Sequence, residues 1–480
     1  MSHETPFLGE FPFILAGEPR TAETYTLRCP HDGAEIARVH RPGPAEAAEA
    51  VRAAVAGFEA ARVLPPFRRA EILRTVSQAI RDRAEELART MALEAAKPIR
   101  QARVEVGRSA FIFAAAAEEA TRLHDEIVHL DANPGGLNRL GILRRFPVGP
   151  VAAVTPFNFP LNQVAHKLAP AMAAGCSVVL KPASQTPLMA LELARMVLDA
   201  GWPGEALSLL PLRASDAAPL VEDPRFKLLS FTGSAEVGWD MKRRAGKKKV
   251  ALELGGNAGV IVHHDADLNY AAERCTVGGF AYAGQSCISV QRIFVHQSVY
   301  EKFLVLFLPR VKALKVGHPL DEAADLCAMI SRSDADRVAG WFAEAREAGA
   351  RFLVGGGVRD GVVEPTVIAD ASPRLSVNSR EVFAPVVTVG PYTEFPEALR
   401  AVNDSDFGLQ AGVFTRDVKL LFDAFAALEV GGVMANEVPT WRVDQMPYGG
   451  VKDSGVGREG IRWAVEEMTE PKLMALNLNL

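Results

Sequence analysis

Two short motifs place a thiol and a carboxylate where covalent catalysis can use them. Cys287 ends the run Gly284-Gln-Ser-Cys, and Glu253 lies upstream in Leu252-Glu-Leu-Gly-Gly. A free thiol has a pKa of about 8.5, so a working cysteine needs a partner base or an electropositive setting. Any single cysteine also fits a buried, inert role. The flanking glycine and amide favour a nucleophile at Cys287, with Glu253 as a candidate base.

A third motif, Thr155-Pro-Phe-Asn-Phe-Pro160, holds an amide side chain in a rigid loop before a predicted helix. Proline is common at helix starts, so this loop also fits a simple helix entrance. In the catalytic interpretation, the Asn158 amide stabilises the charge that develops when a thiolate attacks a carbonyl. Losing one such donor typically costs about 10²–10³ in rate.

Two further motifs fit a nucleotide site. Gly233-Ser-Ala-Glu-Val-Gly238 follows a predicted strand and opens a helix, so its backbone N–H groups can hold a pyrophosphate. The run is not GxGxxG, and it also fits a turn that uses glycine only for backbone geometry. Lys181 ends another predicted strand and fits either a cofactor contact or a solvated surface lysine.

The composition indicates a globular protein with more than one domain. The chain has 480 residues, 49% of them hydrophobic and 23% charged, and its net charge of −5 is small for this length. Scattered basic residues argue against nucleic-acid binding. Five widely spaced cysteines without a CxxC pair argue against disulfides and against a metal site. The start of the chain is unlike a signal peptide and no apolar run is long enough to span a bilayer, so we expect a cytoplasmic protein without a membrane partner.

Between Pro147 and Val262, short apolar runs alternate with longer amphipathic ones, which is typical of a parallel sheet built from βαβ units. The predicted strands are 151–155, 177–181, 207–210 and 227–231, and the predicted helices are 160–174, 187–200 and 235–244. Such sheets bind ligands beyond the carboxyl ends of their strands. The motifs at Thr155, Lys181 and Gly233 all fall at such ends.

The flanking segments extend this pattern. Residues 44–122 predict several helices that are interrupted at Pro65-Pro66. A second α/β alternation follows Gly255, with strands 290–295, 386–389 and 411–414, a helix from Val299 and a helix over 334–348. Residues 127–145 and 471–480 belong to neither alternation and predict projecting strands, whose edges need a partner surface.

Together, several runs resemble the aldehyde dehydrogenase superfamily and occur in the order found in that family. They are Thr155-Pro-Phe-Asn-Phe-Pro160, Lys181-Pro-Ala-Ser184, Phe231-Thr-Gly-Ser234, Leu252-Glu-Leu-Gly-Gly256, Gly284-Gln-Ser-Cys287, Glu381-Val-Phe-Ala-Pro385 and Pro447-Tyr-Gly-Gly-Val-Lys452. The stretch 436–448 looks most like the lactaldehyde-type branch.

The resemblance implies an α/β fold with two doubly wound domains and a β oligomerisation hairpin. The implied cofactor-binding domain comprises 1–126 and 146–255, the catalytic domain 256–452, and the oligomerisation segments 127–145 and 468–480. It also implies a small-molecule aldehyde substrate and a homodimer or homotetramer.

The resemblance also assigns roles to individual residues. Cys287 takes the position of the nucleophile, Glu253 that of the general base and Asn158 that of the oxyanion donor. Lys167 matches a proton-relay position, although it also fits a helix-surface lysine. The implied cofactor-binding residues are Thr155, Pro156, Phe157, Lys181, Ser184, Gly233, Ser234, Gly238, Leu254, Glu381 and Phe383.

One position bears on the choice between NAD and NADP. Many NAD-preferring members of the family have glutamate where this chain has Ser184, three residues after Lys181. A carboxylate there would repel the 2′-phosphate of NADP, and serine removes that repulsion. We therefore predict NAD or NADP as cofactor, with NADP accepted and even preferred.

The predicted reaction is oxidation of an aldehyde to a carboxylic acid through a thiohemiacetal and a thioester on Cys287, with Glu253 activating the hydrolytic water. Three alternatives stay open: a CoA-acylating enzyme, an inactive binding or structural protein of the same fold, and a cofactor-independent thiol hydrolase. The last of these would not explain the nucleotide-site motifs. The favoured substrates are small hydroxyaldehydes or short aldehydes with an acidic group. The candidate pocket residues are Arg108, His166, Trp441 and Arg442, although the arginines also fit ordinary ion pairs.

Overall fold

The computed structural model describes residues 5–123 and 125–479, and their strands form one sheet of eight strands, one of seven and smaller sheets of two or three. In these ranges the strands are β1 Glu10–Phe11, β2 Phe13–Leu15, β3 Glu18–Arg20, β4 Thr24–Arg28, β5 Glu35–His40, β6 Glu126–Val128, β7 Arg139–Pro147, β8 Val151–Val154, β9 Val178–Lys181, β10 Leu207–Leu209, β11 Leu228–Thr232, β12 Lys249–Glu253, β13 Ala258–Val262, β14 Val290–His296, β15 Arg351–Val354, β16 Val358–Arg359, β17 Val362–Val363, β18 Thr366–Ala369, β19 Val386–Tyr392, β20 Phe407–Gly408, β21 Gln410–Phe414, β22 Gly432–Ala435, β23 Val451–Lys452, β24 Gly455–Val456 and β25 Thr469–Asn477.

The helices surround these sheets. In the same ranges they are α1 Pro44–Arg62, α2 Pro66–Asp82, α3 Ala84–Ala95, α4 Ile99–Ala120, α5 Asn162–Ala174, α6 Leu188–Asp199, α7 Ala218–Glu222, α8 Ala235–Arg244, α9 Leu268–Phe280, α10 Tyr300–Lys312, α11 Arg332–Glu347, α12 Ser376–Ser379, α13 Phe395–Asn403, α14 Val418–Ala427 and α15 Ile461–Glu467. Among the described residues, every helix is too short or too polar to cross a bilayer. The predicted break at Pro65-Pro66 separates α1 from α2, because proline fits the first turn of a helix but not its interior.

The eight-stranded sheet has the order β24-β12-β11-β8-β9-β10-β2-β3. The strands β11, β8, β9 and β10 run parallel and are buried along their whole length, as their mostly apolar sequences favour, while β12 beside β11 is partly exposed. Their carboxyl ends therefore lie side by side. The backbone N–H of Thr155, just past β8, donates to the carbonyl of Lys181 at the end of β9 over 3.1 Å, and Glu253 ends β12 at the same edge.

The seven-stranded sheet has the order β15-β18-β19-β14-β13-β21-β22 and is parallel except for β15. The segment from Leu254 to Asn257 leads directly from the end of β12 to the start of β13. The carboxyl edge of the first sheet therefore meets the amino edge of the second. The loop that carries Cys287 precedes β14 and lies at this meeting point. The predicted α/β fold with two doubly wound sheets is confirmed.

The two predicted projecting segments pair with each other in a sheet of order β25-β7-β6. β25 runs antiparallel to β7 with Leu473 opposite Leu143. Residues 127–145 are not one continuous strand, because short 3₁₀ turns at Leu130–Ala132 and Pro134–Gly136 separate β6 from β7. Proline and consecutive glycines at that point explain the break.

Candidate active site

Cys287 lies where two cavities meet. One cavity has a volume of about 310 Å³ and the other about 230 Å³, and both are lined by Cys287 and Gln163. Asn158 and Glu253 line the second cavity. The structure therefore brings the three residues predicted to do covalent chemistry to one place, although they come from a helix entrance, a strand end and a loop far apart in the sequence.

The thiol of Cys287 is surrounded by groups that control its proton. Burial raises the pKa of Cys287 well above its ordinary value, and the nearby Glu253 carboxylate raises it further, while a hydrogen bond with Tyr448 lowers it. Sγ lies 2.8 Å from the Tyr448 hydroxyl. A thiol in this setting is protonated at neutral pH, so its attack on a carbonyl requires a base to remove that proton.

Close packing fixes the backbone at Cys287. A side-chain carbon at Gly256 would lie 2.2 Å from the Cys287 carbonyl oxygen, and one at Gly284 would lie 2.1 Å from the carbonyl of Ala384. Gly284 also has a φ of +67°. Tyr282 and Ala283 adopt left-handed backbone angles as well, with φ of 50° and 52°, which costs of order 1–3 kcal/mol each. The glycines of both motifs are thus needed so that the two chain segments can approach closely.

Glu253 is buried and sits at the end of β12. Burial raises the pKa of Glu253 to about 7, and the carboxylate of Glu459 contributes to the increase. Its Oε1 atom has no hydrogen-bond partner among residues 5–123 and 125–479. A carboxyl group with a pKa near 7 and an unused oxygen is suited to general-base catalysis at neutral pH.

Lys167 is buried behind Glu253 rather than solvated on a helix surface. Its Nζ lies 2.8 Å from Oε1 of Glu459. Burial raises the pKa of Glu459, but Lys167, His166 and Arg442 more than offset this effect and lower it to about 2. A void of about 10 Å³ is lined by Glu253, Lys167 and Glu459, which is about the space that one water needs. The arrangement offers a route for a proton away from Glu253.

Asn158 is held in place from both sides of its loop. Its Nδ2 donates to the carbonyl of Gln285 over 3.1 Å, while Oδ1 lacks a partner within the described ranges. Lys97 donates from Nζ to the backbone carbonyl of Asn158 over 2.6 Å and forms a buried ion pair with Glu105. Glu105 in turn accepts from the backbone N–H groups of Leu161 and Asn162 at the entrance of α5.

The smaller cavity is lined by most of the predicted cofactor residues. They are Pro156, Phe157, Gly233, Ser234, Leu254, Glu381 and Phe383. The rings of Phe157 and Phe383 are 5.8 Å apart in an edge-to-face arrangement. Glu381 accepts from the backbone N–H of Gly256 over 3.0 Å, and burial raises the pKa of Glu381 to about 7.

Four predicted cofactor residues lie outside this lining: Thr155, Lys181, Ser184 and Gly238. Lys181 is buried, and burial together with the charge of Arg41 lowers the pKa of Lys181 to about 8. Gly238 has a packing role, because a side-chain carbon there would lie 2.4 Å from the Leu254 side chain.

The residues at this edge fit a nicotinamide dinucleotide. Thr155 Oγ1 and Arg41 Nε are buried polar atoms without a partner in the part of the chain that the structure describes. Phosphate and hydroxyl groups of a nucleotide would satisfy such donors. The helix α8, which begins beside Ser234, offers backbone N–H groups and a positive dipole end to a pyrophosphate.

Of the four predicted pocket residues, two line the larger cavity and two do not. Arg108 lines it and forms a bidentate pair with Asp444 at 2.6 and 3.0 Å. Arg442 also lines it, stacked 3.6 Å over the ring of Tyr448 and 3.3 Å from Glu459. His166 lies behind the wall against Asp444, and Trp441 is half-exposed outside the lining.

Sequence reasoning missed several residues of the site. Tyr448 lies inside the quoted motif Pro447-Tyr-Gly-Gly, so the signal was present but was not interpreted as a contact with the thiol. Lys97, Glu459 and Arg41 lie in stretches without a motif, and only the folded structure brings them near the site. Gln163 follows the Asn158 loop on α5, and it was not predicted because it belongs to no recognisable sequence motif.

A single cysteine shared by two cavities, one of them lined by residues that fit a nicotinamide dinucleotide, is an arrangement suited to an oxidoreductase. The model of the family described as "Aldehyde dehydrogenase family" matches residues 18–474. The chain therefore belongs to the aldehyde dehydrogenase family. It is an NAD(P)-dependent aldehyde dehydrogenase, and the predicted class of enzyme and cofactor is confirmed.

Individual relatives show the same relationship. The chain is 45% identical to 3-sulfolactaldehyde dehydrogenase of Priestia aryabhattai over 86% of this chain and 87% of that one. It is 39% identical to lactaldehyde dehydrogenase of Methanocaldococcus jannaschii over 90% and 93%, in line with the predicted branch.

Solved structures agree with these sequence relationships. Aldehyde dehydrogenase 21 from Physcomitrella patens, in complex with the reaction product succinate, is 42% identical over 99% of both chains, with a TM-score of 0.97. Glyceraldehyde-3-phosphate dehydrogenase from Methanocaldococcus jannaschii, complexed with NADP, is 38% identical over 95% of this chain and 100% of that one, with a TM-score of 0.92.

Proposed function

We propose that this enzyme oxidises a short aldehyde with an anionic group to the carboxylic acid through a covalent adduct on Cys287. The position of the Cys287 sulfur at the junction of the two cavities supports this proposal most directly. An aldehyde in the larger cavity and a nicotinamide in the smaller one can then reach the same atom from different sides.

The reaction begins when Glu253 accepts the thiol proton and the thiolate adds to the aldehyde carbon. Nδ2 of Asn158 and the backbone N–H of Cys287 stabilise the oxyanion of the thiohemiacetal. When bound, the oxidised nicotinamide supplies the acceptor for the hydride of that carbon. Before hydrolysis, Glu253 releases the thiol proton through Lys167 and Glu459 and becomes a carboxylate again. It then removes a proton from the water that attacks the thioester, the carbon–sulfur bond breaks, and the Cys287 thiolate leaves and takes that proton back from Glu253.

Two substitutions test the roles of Cys287 and Glu253. Cys287→Ala should abolish aldehyde oxidation, because no adduct forms. Glu253→Gln should release at most one reduced nicotinamide per active site, more slowly than the wild type because the thiol has lost its base, and then stall at the thioester. Stopped-flow absorbance at the nicotinamide band measures the burst, and a circular dichroism spectrum matching the wild type controls for folding. Sustained turnover by Glu253→Gln would remove Glu253 from its role, and turnover that requires CoA would favour the CoA-acylating alternative.

The larger cavity supports an anionic substrate. Lys97, Arg108 and Arg442 line it. Each is paired with a carboxylate, Glu105, Asp444 and Glu459 respectively, so an anionic group would bind mainly to the atoms that these pairs leave unused. Nε of Arg442 is buried and lacks a partner among the described residues, as do both amide atoms of Asn162 in the same wall. A carboxylate or sulfonate, with a neighbouring hydroxyl, would satisfy these atoms. The succinate complex and the sulfolactaldehyde enzyme named above are consistent with this chemistry.

The substrate proposal predicts a charge-dependent effect at Arg108. Arg108→Gln should raise KM about 10–100-fold for succinic semialdehyde or sulfolactaldehyde and change it little for butanal, because a hydrogen bond to a charged group contributes about 1.5–3 kcal/mol. Val104→Ala, in the same cavity wall, is the matched uncharged control. Equal losses for charged and neutral aldehydes would contradict the proposal.

We also propose the following features of the whole protein. A cofactor-binding domain comprises 1–126 and 146–255, a catalytic domain comprises 256–452, and segments 127–145 and 468–480 mediate assembly into a homodimer or homotetramer. A cytoplasmic location is supported by five cysteines that are all free thiols.

A further inference from the structure

A cluster of histidines lies at the carboxyl edge of the second sheet. β13 ends at Val262, the turn after it is His263-His264-Asp265, and β14 ends in His296. Cys287 lies at the opposite edge, where its carbonyl approaches Gly256. Residues 256 to 263 are mostly extended and span roughly 20 Å, so the cluster is separate from the reacting thiol.

Three donors of the kind that bind metals converge in this turn. One ring nitrogen from each of His263 and His264 and one carboxylate oxygen of Asp265 lie within 4.8 Å of one another. The two ring centres are 4.3 Å apart, and the ring of His296 is 5.2 Å from the first and 5.1 Å from the second. Two imidazoles that bind one zinc ion at about 2.0–2.1 Å bring their ring centres to about 5 Å. The observed spacing therefore matches shared coordination of one ion.

A second layer of hydrogen bonds orients these donors. Nδ1 of His263 lies 2.7 Å from the Tyr392 hydroxyl, which fixes the ring and leaves its other nitrogen as a ligand. Asp265 accepts from Thr415 Oγ1 over 2.8 Å and from the backbone N–H of Arg416 over 3.0 Å. Such outer partners are typical of metal-binding histidines and carboxylates.

We propose that His263, His264 and Asp265 form a binding site for one divalent transition-metal ion of the zinc class, with His296 or water completing the coordination. Imidazole and carboxylate together suit zinc, nickel and copper better than magnesium or calcium. The ion holds the turn after β13 in place and, with His296 as the fourth ligand, also ties it to the end of β14. It stabilises the fold without entering the oxidation of the aldehyde. The expectation of no metal site rested on the spacing of the cysteines alone. The adjacent residues His263-His264-Asp265 have no recognisable metal-ligand spacing.

The test is a calorimetric titration with zinc chloride. The full chain with Cys287→Ser is used, so that the catalytic thiol does not bind the added zinc. We expect one zinc ion per chain and an increase in melting temperature with zinc. His264→Ala in the same background should weaken zinc binding at least tenfold and remove the thermal shift, and Tyr392→Phe should weaken it about 10–100-fold. His129→Ala, which removes another exposed histidine, should change neither quantity.

Two results would overturn the proposal: no zinc binding by the Cys287→Ser chain, or zinc affinity that is the same with and without His264. Because His264 is exposed, its replacement does not threaten folding, so a loss of binding can be attributed to the ligand. The outcome is independent of the proposed oxidation, which the wild-type assay tests without added metal.

Discussion

The protonation state of Glu253 sets how the rate depends on pH. A base works only when it is ionised, and burial places the pKa of Glu253 at about 7. Thioester hydrolysis should therefore be at its maximum above pH 7 and fall about tenfold per unit below it. The rate of single-turnover release of the acid, measured between pH 5.5 and 9, tests this decrease below pH 7. Glu253→Gln should show no such decrease, and a wild-type profile that is flat across pH 7 would contradict the assignment.

We predict that Arg41 contributes to the choice between NADP and NAD. Its guanidinium lies 4.0 Å over the ring of Tyr25, whose hydroxyl donates to the Ser184 carbonyl over 3.0 Å. The charge of Arg41 also acts on Lys181, so two basic residues lie near the segment that carries Ser184.

Arg41→Ala should therefore raise KM for NADP about 10–100-fold and change KM for NAD much less. Ser184→Glu should act in the same direction through charge repulsion. Steady-state kinetics with both cofactors measure the ratio, and Arg38→Ala is the control, since Arg38 is an exposed arginine on β5 paired with Glu35. A strong NAD preference of the wild type would contradict the assignment of this region to the 2′-phosphate.

At the scale of elements, Gly256 determines how close two segments can come. Gly256→Ala should push the Cys287 carbonyl away, because the added carbon would lie 2.2 Å from its oxygen. A displacement of about 1 Å at a reacting group can cost about 10²-fold in rate. Steady-state kcat measures the loss, and the melting temperature measures any destabilisation.

The matched control is Gly340→Ala in the middle of α11, where a side-chain carbon has no neighbour within 4 Å. That change should leave activity intact and stabilise the fold by about 0.5–1 kcal/mol, since alanine favours helix over glycine. If both variants keep full activity, the close approach at Gly256 is not needed for catalysis.

Four strands of the first sheet, β8 to β11, and the helices α5 and α6 between them could be predicted from sequence to within one or two residues, because buried parallel strands and amphipathic helices have distinct periodicities. The strand β12, which ends in Glu253, was not predicted. The predicted helix 235–244 coincides with α8. The structure of residues 127–145 was harder to predict. Their alternation of apolar and polar residues suggested one strand, whereas a proline and two glycines interrupt it. At the site, motifs identified Cys287, Glu253 and Asn158, but contacts such as Tyr448 with the thiol depend on chain segments that only folding brings together.

At the scale of the whole molecule, the sheet of β25, β7 and β6 leaves large apolar side chains uncovered. Ile127, Leu473 and Met474 are each about half-exposed, at 56%, 48% and 51%. Exposed strands of this kind usually pair with or pack on another chain. Leu473→Lys should therefore shift the protein toward smaller species in analytical ultracentrifugation, with its circular dichroism unchanged.

Val305→Lys, at an apolar position on α10 that is 72% exposed, is the control and should leave the assembly intact. An unchanged sedimentation coefficient for Leu473→Lys would argue that this sheet is not the interface. Dissociation by both variants would point to α10 instead.

The shared position of the Cys287 sulfur has a consequence for inhibitor design. An electrophilic inhibitor that enters through either opening meets the same sulfur, so a nucleotide held in one groove does not shield that atom from a reagent arriving through the other. An electrophile that carries an acidic group would be attracted to the arginines of the larger cavity, and selectivity over related enzymes would then depend on the shape of that cavity.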